Sequence, residues 1–136
     1  MIGIFSKTTD SNFVEATGLS GMDFIILDQE HGIVNSERLL DHVRAAKVSN
    51  LMSLVRVPYL NSNYIGSSLD AGADGVMIPN ISTPDEALLA VEYAKFYPKG
   101  NRGVCRFVKA ADFGSADKIE YFKNENNKLV IIQVEG

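Results

Sequence analysis

"FIILDQEHG", residues 24 to 32, runs four apolar residues straight into Asp28, Gln29, Glu30 and His31. An unbroken Phe-Ile-Ile-Leu run is the pattern of a strand buried on both faces, as in a parallel sheet. Ligands of such sheets gather at the carboxyl ends of the strands, where this run delivers two carboxylates and an imidazole. The pattern recurs along the chain. Strands are expected over residues 2–5, 24–27, 51–57, 75–78 and 129–134, all rich in β-branched or large apolar side chains.

Helical patterns fill the intervals. Asp10 and Ser11 open the first, and residues 36–47 place Leu39, Leu40, Val43 and Ala46 at helical spacing among charged residues. "NSNYIGSSLDAGA" supplies a third helix between the third and fourth strands. "TPDEALLAVEYAK" begins with Thr83 as N-cap, Pro84 in the first turn and Glu86 placed to close a capping box. A fifth helix is expected over about residues 116–125. Strands alternating with helices indicate right-handed parallel β-α-β units in a single α/β domain spanning residues 1–136. A doubly wound open sheet accommodates five strands. So do the first five strands of a (β/α)8 TIM-type barrel, which needs about 250 residues. "VIIQVEG" stops directly behind an apolar strand, and a partial barrel is the expectation.

Composition narrows the class. The chain is 46% hydrophobic and 22% charged without low-complexity tracts, as a globular domain should be. A net charge of -4 with scattered Lys and Arg excludes a phosphate-tracking surface, so nucleic acid is not an expected partner. Cys105 is the single cysteine, which rules out an internal disulfide and a cysteine-based zinc site. The opening residues lack a signal-peptide pattern, no segment has the length of a spanning helix, and a cytoplasmic protein without membrane contact is expected.

The strand ends define a candidate rim. Asp28, Glu30 and His31 follow the second strand, Arg56 ends the third, and Gln133 and Glu135 end the fifth. A carboxylate three residues before an imidazole can fix its tautomer and favour it as a proton acceptor. Val55 and Val57 flank Arg56, so alternation turns its side chain to the opposite face, toward the mouth of a barrel. Asp70 and Asp74 read as helix-end and loop residues, and Tyr59, Tyr64 and Tyr93 as packing. "AGADG" at 71–75 lacks the spacing and the following helix of a phosphate cradle. "KGNRGVCR" at 99–106 could meet an anion but reads better as a loop turn.

In order, "DFIILDQEHG", "LVRVPYLN", "LDAGADGVMIPNISTPDEA", "YPKGNRGV" and "VIIQVEG" resemble the HpcH/HpaI family of metal-dependent, class II pyruvate aldolases over the whole chain. The resemblance implies an α/β barrel, reversible cleavage of 4-hydroxy-2-oxo acids to pyruvate and an aldehyde, and a homo-oligomer. It implies a catalytic His31 as base with Asp28 paired to it, Arg56 holding the pyruvyl oxygens, Gln133 at the substrate position and Glu135 as a metal ligand. The implied cofactor is a divalent metal, Mg²⁺, Mn²⁺ or Co²⁺. The family's second metal carboxylate lies in a Gly-Pro-x-Asp segment, which this sequence does not contain. No lysine stands at a strand end to form a Schiff base. A citrate lyase or malyl-CoA lyase relative, and a catalytically silent oligomerising protein, are the alternatives.

Overall fold

The computed structural model describes residues 1–135; Gly136, which closes the "VIIQVEG" segment, lies outside the described residues. The elements alternate: β1 (Gly3–Ser6), α1 (Ser11–Leu19), β2 (Phe24–Asp28), α2 (Ser36–Val48), β3 (Met52–Arg56), α3 (Ser62–Asp70), β4 (Gly75–Ile81), α4 (Pro84–Ala94), a short 3-10 segment (Lys109–Gly114), α5 (Lys118–Glu125) and β5 (Leu129–Val134). Side-chain caps start the helices. Asp10, Asn35, Asn61, Thr83 and Asp117 each accept a backbone N–H of the first turn, and Thr83 with Glu86 forms the complete capping box.

Strand order separates the two architectures that the pattern permits. The sheet runs β1-β2-β3-β4-β5 and every pair is parallel. A doubly wound sheet reverses its strand order at a switch point, whereas a barrel adds each strand beside the last. The sheet is therefore an arc of barrel type.

Its two faces confirm the arrangement. On one, Ile25, Leu27, Val55, Val57, Val76 and Ile78 pack with helix residues such as Val14, Leu39, Val43, Ile65, Leu69 and Ala90 in the main core. On the other, Ile26, Leu54 and Met77 meet Phe24, Met52 and Ile131, all of them strand residues. Each fully buried aliphatic side chain contributes on the order of 1.5–3 kcal/mol, so the helix-covered face carries most of the stability. Gly75 lets β4 and β5 close: a Cβ there would lie 2.7 Å from Leu129 Cβ and 2.8 Å from its carbonyl oxygen.

Polar groups inside the fold are mostly paired. Arg102, from the 99–106 loop, donates to Glu125 of α5 at 2.8 Å and also bonds Asp70 of α3, with its guanidinium over the Phe96 ring. That loop is a structural turn rather than an anion cradle. Asp74 accepts from the Ser53 backbone N–H and hydroxyl, at 2.8 and 3.2 Å, and so holds the start of β4 against β3. Tyr59 and Tyr64 pack edge-to-face on each other at the surface, with Tyr93 against the main core. His42 differs: it is fully buried in α2 and neither ring nitrogen has a partner among the described residues. Among the described residues no helix is long and apolar enough to cross a membrane.

Candidate active site

Asp28 and Arg56 are register partners at the ends of β2 and β3. Alternation puts both on the strand-only face, one step beyond Ile26 and Leu54. Arg56 Nε donates to Asp28 Oδ1 at 3.0 Å and Nη2 to Oδ2 at 2.7 Å, a bidentate pair. Asp28 is fully buried and also accepts the backbone N–H groups of Glu30 and His31 at 3.0 and 3.1 Å. Burial alone pushes its carboxyl up. The Arg56 hydrogen bonds and charge, with those two amides, outweigh burial and hold it below its ordinary value.

Glu30 supplies a second carboxylate to the same guanidinium, with Oε2 3.0 Å from Arg56 Nη1. The Phe5 ring of β1 lies beneath, 4.9 Å from Arg56 Cζ. The hydrogen bonds to Asp28 raise the Arg56 pKa, burial opposes this, and the charges of Asp28, Glu30 and Glu135 add to the rise. Of the five guanidinium N–H groups, the hydrogen bonds to Asp28 engage one on Nε and one on Nη2, while Glu30 faces Nη1 as an ion pair.

The geometry brings His31 to a different carboxylate from the one its spacing points to. Asp28 meets the His31 backbone amide, while His31 Nε2 lies 3.8 Å from Glu30 Oε1. Three residues after a strand end, the turn points the Asp28 carboxylate back along its own backbone. The imidazole stands outward, with its side chain 62% exposed. Glu30 Oε1 also accepts from Asn80 Nδ2 at 3.3 Å. Glu30 is visible in the sequence only as one more charge at the strand end, and Asn80 only as part of an Asn-Ile-Ser triplet. Their meeting depends on a 50-residue separation and on a left-handed Asn80, φ 55°, beside the register shift of β4.

On β5, Ile131 belongs to the strand-only face, so Gln133 shares it and Glu135 follows at the next same-face position. The Gln133 Oε1 atom is buried and has no hydrogen-bond partner among the described residues. Among the described residues no group of three or more His, Cys, Asp and Glu side chains is placed to hold a metal ion. The rim thus joins Phe5, Asp28, Glu30, Arg56, Asn80 and His31, with Gln133 and Glu135 at the end of β5, two strands along from Arg56.

The chain as a whole matches known proteins. A family model for HpcH/HpaI aldolase/citrate lyase covers residues 1–136. The chain belongs to this family. It is 33% identical to a 5-keto-4-deoxy-D-glucarate aldolase of Escherichia coli (strain K12 / DH10B) over 136 residues, 99% of this chain and 52% of the relative. It is 31% identical to a hydroxypyruvate/pyruvate aldolase of Sagittula stellata over 135 residues, 98% of this chain and 53% of the relative. A crystal structure of an HpcH/HpaI aldolase/citrate lyase family protein from Burkholderia cenocepacia J2315 superposes with a TM-score of 0.91 at 34% identity, over 99% of this chain and 55% of that one. The chain spans about half the length of the family members it matches.

Proposed function

We propose that this chain carries the 2-oxo acid end of a class II pyruvate aldolase, which cleaves a 4-hydroxy-2-oxo acid reversibly to pyruvate and an aldehyde. The observation that carries the proposal is Arg56: hydrogen-bonded to Asp28 and paired in charge with Glu30, it keeps N–H groups on both Nη atoms beyond those that Asp28 engages, at the rim that His31 and Glu135 share. A planar fork of that kind suits the oxygens of a 2-oxo acid and stabilises negative charge as an enolate forms. His31, exposed at the same rim, takes the proton of the C4 hydroxyl.

A divalent cation fits the donors, though the described residues supply only part of its shell. Asp28, Glu30 and Glu135 carry three negative charges against the single positive charge of Arg56, an excess that repels an anionic substrate. Glu135 and the orphaned Gln133 Oε1 are hard oxygen donors on one face of β5. They are the residues that would hold Mg²⁺, Mn²⁺ or Co²⁺. Bound there, the cation supplies an electron sink at the 2-oxo group as a Lewis acid. Asp28 keeps Arg56 aligned, and Phe5 supports the guanidinium from below.

The test is pyruvate release from a 4-hydroxy-2-oxo acid with Mn²⁺ and after chelation, beside His31→Ala and Glu135→Ala. Metal-dependent release that both substitutions abolish supports the reading. Release that survives chelation or either substitution refutes it. An oligomer of copies belongs to the same reading, supported by exposed Val104, Phe107 and Phe113; light scattering with and without Mg²⁺ decides it. A cytoplasmic setting suits the free, exposed thiol of Cys105.

A further inference from the structure

Glu30 stands at the centre of the rim, and its contacts reach beyond Arg56. Its side chain is 12% exposed and its carboxylate serves three neighbours: Oε2 meets Arg56 Nη1, while Oε1 faces His31 Nε2 and accepts from Asn80 Nδ2. Asn80 reaches it from the end of β4, across β3, which bears Arg56. That reach depends on the left-handed backbone at Asn80, a conformation that Asn tolerates better than most residues.

We propose that Glu30, held by Asn80, is a positioning residue that orients both the Arg56 guanidinium and the His31 imidazole. The inference rests on the aldolase reading for its role but on the carboxylate's contacts for its existence. Asp28 holds Nε and Nη2 and so fixes the guanidinium plane, which leaves only the Nη1 amino group free to rotate about its bond to Cζ. Glu30 Oε2, 3.0 Å from Nη1, opposes that rotation, and Oε1 of the same carboxylate, 3.8 Å from Nε2, gives the imidazole a fixed negative neighbour. Base and guanidinium thereby keep a constant relation to each other, the condition under which oriented groups are effective.

The experiment uses the 136-residue chain with Asn80→Gly, which keeps the left-handed backbone and removes the amide, and with Glu30→Gln, which keeps an acceptor for Asn80 and removes the charge. In nitrogen-edited NMR the parent is expected to give separate, slowly exchanging Arg56 Nη1 protons. Both variants should average these signals and shift the His31 ring resonances, while the Arg56 Nε–H signal persists. Unchanged Nη1 and His31 signals in both variants would overturn the proposal, and should Asn80→Gly unfold, Glu30→Gln alone decides. If the parent releases pyruvate, kcat should fall about tenfold with KM changed less than about threefold; an unaltered kcat removes the positioning role and leaves the aldolase reading standing. If the parent releases none while the signals respond, residues 1–136 alone do not make a working aldolase site and the orientation of Arg56 and His31 by Glu30 stands.

Discussion

At the scale of single residues, the Asp28–Arg56 pair governs both charge and stability at the rim. Replacing Arg56 with Met leaves a fully buried carboxylate with only backbone amides for partners, which should cost about 3 to 5 kcal/mol at pH 7. The pH dependence carries a sign that checks this account. In the parent, the folded carboxyl lies below its unfolded value of 3.8, so its contribution is complete above that value and is lost as the pH falls through the lower folded value. In Arg56→Met burial dominates and the folded carboxyl rises, so the deficit should shrink as the pH is lowered from 7 toward 4. Urea unfolding across that range distinguishes the two slopes. Facing of this kind was legible in the sequence, because Val55 and Val57 around Arg56 fix its side of the strand. The partner of His31 was not: spacing favoured Asp28, while the turn geometry delivers Glu30.

Among the elements, the alternation of apolar runs placed all five strands to within a few residues, since parallel strands buried on both sides have an unbroken apolar signature. Thr83, Pro84 and Glu86 predicted the start of α4 because a capping box is a local device. The 3-10 segment at Lys109–Gly114 had no such signal; its left-handed Asp112 and Phe113 are set by packing around Val108 and Ala111. β4 extends three residues beyond its expected end, through Pro79 and Asn80, two residues that usually end strands. Helix α2 was read correctly as amphipathic; His42, about which the pattern said nothing, is fully buried, and neither ring nitrogen has a partner among the described residues. His42→Leu should therefore stabilise the chain by about 1 kcal/mol or more at pH 7, seen as a higher urea midpoint with an unchanged slope.

Across the whole molecule, helices cover one face of the arc and strand residues alone form the other. The outermost turn of chain is tied down by charge: Arg102 links α3, the 99–106 loop and α5 through Asp70 and Glu125. Arg102→Met leaves the buried Glu125 with only Lys128, 3.8 Å away, as a charge partner and should cost about 3 kcal/mol, most of it recovered in Arg102→Met with Glu125→Leu. Thermal unfolding of the single and double variants measures the coupling. The chain's two histidines sit at the extremes of this architecture, His31 outside and His42 sealed between the helix layer and the sheet. An acylating reagent such as diethyl pyrocarbonate should mark them in strict succession. The first ethoxyformyl group should appear on the exposed His31, and the second only as fast as the helix layer lifts from the sheet, which makes His42 a covalent clock for the opening of this fold.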